Sequence, residues 1–105
     1  MTMARAMDHW ILESSEPDES SLRFRLGPGA VRTVGRATRS DFIVDAALVS
    51  RLHCRLTATN DQLEVVDLAS TNGTYVNGKR VKAARLAAGD RLRVGRVELR
   101  VIRQA

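Results

Sequence analysis

Four short stretches of this chain gather arginine, hydroxyls and carboxamides at places where the backbone has to turn. Gly35-Arg36 closes one apolar run and Ser50-Arg51-Leu52-His53 opens another. Ser70-Thr71-Asn72-Gly73-Thr74 and Asn77-Gly78 follow in close succession. A guanidinium presents a planar fork that donates to two oxygens at once. Hydroxyls and amides add neutral, directional donors. Such a set suits a tetrahedral dianion such as a phosphate monoester. It does not suit bond making, because it holds no nucleophile–base pair and no ligand set for a metal. His53 and Cys54 are neighbours, but consecutive residues on a strand face opposite sides, so imidazole and thiol should not meet. No catalytic or ligand spacing surrounds His9 in the sequence, and the acidic residues are scattered without ligand spacing. Neither an enzyme nor a cofactor is expected.

The elements that must carry these loops are strands. Trp10-Ile11-Leu12 is a first apolar patch, and the polar stretch from Glu13 to Ser21, which contains Pro17, reads as a loop. Leu22, Phe24 and Leu26 alternate with Arg23 and Arg25, the period of a strand with one buried face. Val31 to Val34, Phe42 to Val44, His53 to Ala58 and Leu63 to Leu68 read as further strands, the last two joined through Asn60-Asp61. Asn72-Gly73 and Asn77-Gly78 bracket the tiny apolar piece Tyr75-Val76, and Asn-Gly is the dipeptide of tight hairpin turns. Val81 to Ala88 is rich in alanine but too short to stand as a helix, and reads as strand and loop. After Gly89-Asp90, Leu92 and Val94, then Val97, Leu99 and Val101, alternate with polar residues across a turn at Gly95. Many short strands at even spacing predict an all-β sandwich or barrel. Val34-Gly35-Arg36 recurs as Val94-Gly95-Arg96, but nothing around the copies matches and the recurrence reads as chance.

At 105 residues the chain accommodates one core. Its reading is a tail over residues 1–8, expected to be disordered, and a single domain over residues 9–105. The net charge is +5, and the only lysines are Lys79 and Lys82, so the surplus rests on arginine. A basic balance of this kind points to anionic partners. A single cysteine, Cys54, forms no internal disulfide, which favours a reducing, cytoplasmic setting. No signal peptide and no run of about 20 apolar residues is present, so no membrane association is expected.

The order and spacing of Gly35-Arg36, Ser50-Arg51-Leu52-His53, Asn72-Gly73-Thr74 and Asn77-Gly78 resemble the forkhead-associated (FHA) domain. The stretch from Val66 to Gly78 and the closing stretch from Leu86 to Gly95 add to the likeness, which spans about Leu22 to Ile102. That family is an eleven-stranded β-sandwich, two sheets with binding loops at one edge, that recognises phosphothreonine. Residue by residue, the resemblance implies that Arg36 and Arg51 contact phosphate and that Ser50 and Thr71 donate to it. It implies that Asn72 binds the partner's main chain. Gly35, Gly73, Asn77 and Gly78 would shape loops, and His53 would brace the loop that carries Ser50 and Arg51. The partner would be a phosphothreonine-containing protein or peptide, made by a Ser/Thr kinase, read by a signalling adaptor module without catalysis or a small-molecule substrate. The apolar stretch from Ala46 to Val49, in a loop that sets specificity in the family, hints at an apolar rather than acidic preference a few residues after the phosphothreonine.

Two binding alternatives compete with this reading. One is an FHA scaffold that holds its partner by another surface without phosphate. The other is a basic β-domain that binds nucleic acid. Single-strand binders stack bases on aromatic side chains. Here only Trp10, Phe24, Phe42 and Tyr75 are aromatic, and the first three sit where core residues are expected.

Overall fold

A computed structural model describes residues 9–15 and 21–104, so the expected tail over residues 1–8 and residues 16–20 of the Pro17 loop lie outside the described residues. The described residues form eleven strands and no helix. They are β1 (His9–Ser14), β2 (Arg23–Leu26), β3 (Val31–Gly35), β4 (Phe42–Ile43), β5 (Cys54–Ala58) and β6 (Leu63–Asp67). Then come β7 (Thr74–Val76), β8 (Lys79–Val81), β9 (Ala83–Leu86), β10 (Arg91–Val94) and β11 (Val97–Gln104). Six of them make one sheet in the order β2-β1-β11-β10-β7-β8, and five make the other in the order β4-β3-β5-β6-β9. The first strand is longer than its apolar patch. Glu13 and Ser14 belong to it because their backbones pair with Arg100 and Leu99 and continue the ladder. His53 lies just outside its strand, which begins at Cys54.

The alternation seen in the sequence is the alternation of burial. In β5, Cys54, Leu56 and Ala58 face the core while Arg55 is exposed. In β10, Leu92 and Val94 are buried against exposed Arg91. The two inner faces meet over Leu12, Leu26, Val34, Leu56, Leu63, Val65, Leu92 and Leu99, all at most 1% exposed. Burying a branched side chain of this size contributes about 1.5–3 kcal/mol. Phe24 from one sheet and Phe42 from the other stack with ring centroids 4.5 Å apart, and Trp10 is buried with its indole N–H donating to the Thr59 carbonyl at 3.1 Å. Tyr75 differs. It lies outside the core cluster, with the Arg93 guanidinium 4.1 Å over its ring.

Turn chemistry behaves as its residues dictate, with one exception. Asn77 and Gly78, at φ 51° and 85°, close the two-residue hairpin between β7 and β8, as a turn with positive φ at both central positions requires. Asn72-Gly73 makes no hairpin. It sits in the loop that crosses from β6 in one sheet to β7 in the other, so its geometry is set by that crossing.

Candidate functional site

The loops expected to gather do so at one edge of the sandwich, and each is held there by backbone hydrogen bonds. Gly35 ends β3 with no room for a side chain: a Cβ would stand 1.9 Å from the Arg51 carbonyl oxygen and 2.9 Å from Ser40 Oγ. That oxygen accepts from the Ala37 amide at 3.2 Å and from Ser40 Oγ at 3.1 Å. The Arg36 amide donates to the Ser50 carbonyl at 3.0 Å. The loop of Ala47 to Arg51 is thus pressed onto the end of β3. It is also pressed onto Gly95, where a Cβ would stand 3.0 Å from both the Ala47 carbonyl oxygen and Val49 Cγ2. One loop thus lies across the glycines of both Val-Gly-Arg copies.

His53 ties this loop to the next. It is fully buried, and its Nδ1 accepts the Ser50 amide at 3.0 Å. A backbone N–H can only donate, so Nδ1 carries no proton and Nε2–H donates to the Gly73 carbonyl at 2.8 Å. Both ring nitrogens are occupied by backbone, and none is left for Cys54. Burial, with a smaller push from the charge of Asp67, drives the Cys54 thiol up to about 12 against a weaker opposing hydrogen bond to Thr74. A thiol so protonated is a core residue, not a nucleophile.

A residue that the chemistry-bearing pattern did not single out, Asp67, holds the second loop. Its carboxylate accepts from Ser70 Oγ at 2.5 Å, Thr74 Oγ1 at 2.7 Å and the Ser70 amide at 3.2 Å. Burial pushes its carboxyl up, but the hydroxyl donors of Ser70 and Thr74, the Ser70 amide and the field of His53 outweigh it and hold the group below the usual carboxylate range. The sequence signal was an Asp three residues before a Ser, the spacing of a side chain that caps its own following turn. Ser70 Oγ in turn accepts the Gly73 amide at 3.0 Å. Ser40, which latches the Arg51 carbonyl, was likewise missed, and nothing local marks it.

What this scaffold exposes is an open cavity of about 420 Å³ lined by Arg36, Ala47, Leu48, Val49, Ser50, Thr71 and Asn72. Arg36 Nε donates to the Val49 carbonyl at 3.0 Å, which orients the guanidinium and leaves its two terminal nitrogens free of partners among the described residues. Ser50 Oγ accepts the Thr71 amide at 3.0 Å and keeps its proton to donate. Asn72 Nδ2 donates to the Leu48 carbonyl at 3.1 Å, binding the two rims together. Leu48 and Ala69 both take left-handed backbone, at φ 72° and 58°, in the loops that form the cavity. Such strain persists only where surrounding structure imposes it, and it clusters at functional sites.

The remaining sequence-predicted residues separate. Arg51 is exposed at the same edge but does not line the cavity; its carbonyl does the structural work. Gly73 is buried beneath Arg80, whose Nε would lie 2.6 Å from an added Cβ. Asn77 and Gly78 stand apart from the cavity. Asn77 Oδ1 accepts the Arg91 amide at 2.9 Å and Nδ2 donates to Asp90 at 3.1 Å, so this corner secures the hairpin and reaches the site only through β7 and β8. Among the described residues no group of three or more His, Cys, Asp and Glu side chains could hold a metal.

Residues 32–95 match the sequence family described as the FHA domain. The chain belongs to that family. Over 74 residues it is 46% identical to an ABC transporter ATP-binding/permease protein of Mycobacterium tuberculosis, a match covering 70% of this chain and 8% of that protein. It is 35% identical over 97 residues to the glycogen accumulation regulator GarA of Mycobacterium tuberculosis, covering 84% of this chain and 60% of GarA. The chain thus spans less than two thirds of either relative. Among solved structures, an FHA domain studied for phosphothreonine-dependent FHA domain interactions is 32% identical and superposes with a TM-score of 0.77, over 90% of this chain and 94% of that one. The FHA family is one of binding modules, and GarA is named a regulator, not an enzyme. No helix among the described residues is long and apolar enough to cross a membrane.

Proposed function

We propose that this FHA domain binds phosphothreonine on partner proteins, as the product of a Ser/Thr kinase, and acts as a signalling adaptor without catalysis. The observation that carries the reading is the donor set around the cavity. The free end of the Arg36 guanidinium, already oriented by its bond to Val49, converges there with the Ser50 and Thr71 hydroxyls and the Asn72 side chain. A phosphate monoester has about −1.5 to −2 charges and three strong acceptor oxygens. Each hydrogen bond to it contributes roughly 1.5–3 kcal/mol. Arg36, Ser50 and Thr71 would take the phosphate, with Arg51 closing on it from outside the cavity wall. Asn72 would hold the partner's main chain. The apolar wall of Ala47 to Val49 offers a place for the methyl of phosphothreonine, a gain of about 0.8 kcal/mol over phosphoserine before any effect of shape.

Fluorescence anisotropy against degenerate phosphothreonine, phosphoserine and unphosphorylated peptide pools tests this directly. Binding should require the phosphate, be severalfold tighter for the phosphothreonine than for the phosphoserine pool, and disappear in Arg36→Ala with little change in melting temperature. Equal affinity for phosphorylated and unphosphorylated pools, or an unaffected Arg36→Ala, would move the assignment to a phosphate-independent surface.

A further inference from the structure

The register of the six-stranded sheet decides what its outward face presents. Ile11 pairs with Arg25 and Ile102, and Glu13 with Arg23 and Arg100. Arg91 stands opposite Arg100, Arg93 opposite Glu98 and Tyr75, and Tyr75 opposite Arg80. Two rows therefore cross the face, Arg23-Glu13-Arg100-Arg91 over β2, β1, β11 and β10, and Glu98-Arg93-Tyr75-Arg80 over β11, β10, β7 and β8. With Arg25, six arginines share this face with two glutamates, a net +4 in a chain whose total is +5. Nearly all the surplus charge of the protein is on one side of one sheet.

Little of that charge is neutralised. Among the described residues there is one ion pair, Arg23 with Glu13 at 2.6 Å. Arg25, Arg91 and Arg100 are exposed and have no charged partner among the described residues, and Arg93 is spent on Tyr75 and the Gly95 carbonyl. Arg91 and Arg100 oppose each other directly, an arrangement of like charges that disfavours the sheet. The face is also continuous with the cavity rim, because Arg80, at the end of the second row, lies over Gly73 beside Asn72.

We infer that this sheet face is a second docking surface, for an acidic polypeptide segment that flanks the phosphothreonine in the same partner. The inference rests on the proposed function for the link between the two sites. Guanidinium forks match carboxylates in pairs, and the long arginine side chains, on strands about 4.8 Å apart, can reach carboxylates that recur about every 6.7 Å on one face of an extended chain. The glutamates inside the patch, Glu13 and Glu98, select against a uniform polyanion such as nucleic acid or an anionic membrane. They are compatible with a polypeptide that interrupts its acids with other residues. Rim charges of this kind steer encounter and add affinity that salt removes.

The test compares the phosphothreonine pool extended by an Asp/Glu tract with the same pool extended by a Gly/Ser tract, each also without phosphate. At low salt (about 50 mM) the acidic extension should tighten binding roughly tenfold, the combined effect of several exposed charge pairs. That gain should vanish in R25Q/R91Q/R100Q and at about 500 mM salt, while the unextended pool binds this variant as it binds the wild type. R25K/R91K/R100K, which keeps the charge, should retain most of the gain and gives a result even if the glutamine variant folds poorly. Equal affinity for the two tracts, or a gain that survives in the glutamine variant, overturns the inference. If phosphorylation makes no difference yet the acidic tract still gains through these arginines, the face stands and the phosphothreonine reading falls. Tighter binding of a DNA duplex or an anionic vesicle to the same face overturns the assignment to a polypeptide.

Discussion

Asn72-Gly73 and Asn77-Gly78 are the same dipeptide five residues apart, and both glycines take left-handed backbone, at φ 91° and 85°. Their surroundings share nothing else. Gly73 is buried, with its carbonyl held by His53, its amide by Ser70 and its missing side chain replaced by Arg80. Gly78 is exposed, and an added Cβ would meet nothing within 4 Å. Asn72 ties two rims of a cavity together, while Asn77 pins a hairpin to Asp90 and Arg91. A dipeptide specifies a backbone conformation. What that conformation is used for depends on which chain segments cross it.

This contrast can be broken or sharpened by substitution. The largest effect belongs to Gly35→Ala, at the cavity end, where a methyl group must displace the backbone of Arg51. Chemical denaturation should show a loss of about 3 kcal/mol, at the upper end for an overpacked site, together with loss of phosphopeptide binding. An unchanged midpoint would mean that the loop is not pressed onto β3.

The two asparagines should then separate function from stability. Asn77→Ala removes two hydrogen bonds and a residue tolerant of positive φ, and should cost about 1–2 kcal/mol with phosphopeptide affinity intact. Asn72→Ala should weaken phosphopeptide binding at least roughly tenfold with a smaller change in melting temperature. Parallel losses in both variants would erase the distinction drawn between the two corners.

Because the glycines have nearly the same φ, Gly73→Ala and Gly78→Ala should share a strain cost of about 1–2 kcal/mol. Any excess in Gly73→Ala then reports the displacement of Arg80 and the bonds to His53 and Ser70. A smaller cost at Gly73 than at Gly78 would show that the buried loop is the looser of the two.

The mildest effect is acid titration. Asp67 has a carboxyl lowered from 3.8 in the folded protein. Its contribution to stability is therefore fully present above that unfolded value and is lost as pH falls through the folded one. Urea midpoints should decline below about pH 4, and Asp67→Asn should start lower and flatten that decline. Phosphopeptide affinity should weaken earlier, below about pH 6, where phosphate takes up its second proton. The two onsets distinguish titration of the ligand from titration of the loop that presents it.

Much of this was legible in the residues themselves. The strands of β5, β10 and β11 follow from alternation, because a period of two puts every second side chain on one face. Residue type marked Arg36, Ser50, Thr71 and Asn72 as donors suited to a dianion, the family resemblance gave them phosphate and main-chain roles, and the structure gathers them around one cavity. Arg51 was recognisable too, but its place outside the cavity wall was not, since it depends on how the loop packs against the end of β3, a contact between residues distant in sequence. Asp67 and Ser40 were missed because their work is to hold backbone groups, and many polar residues in turns look alike until the backbone partner is known.

Local chemistry in the sequence thus determined the strands, the turn dipeptides and the stock of donors at the binding edge. The tertiary structure alone decided which donors share a cavity, that one loop lies over both Gly35 and Gly95, and that most of the net charge is collected on one sheet face. The physical reason is range. Backbone preference and side-chain alternation act over a few residues, whereas cross-strand register and loop contact join positions such as Glu13 and Arg100, or Ser50 and Thr71, that only folding brings together.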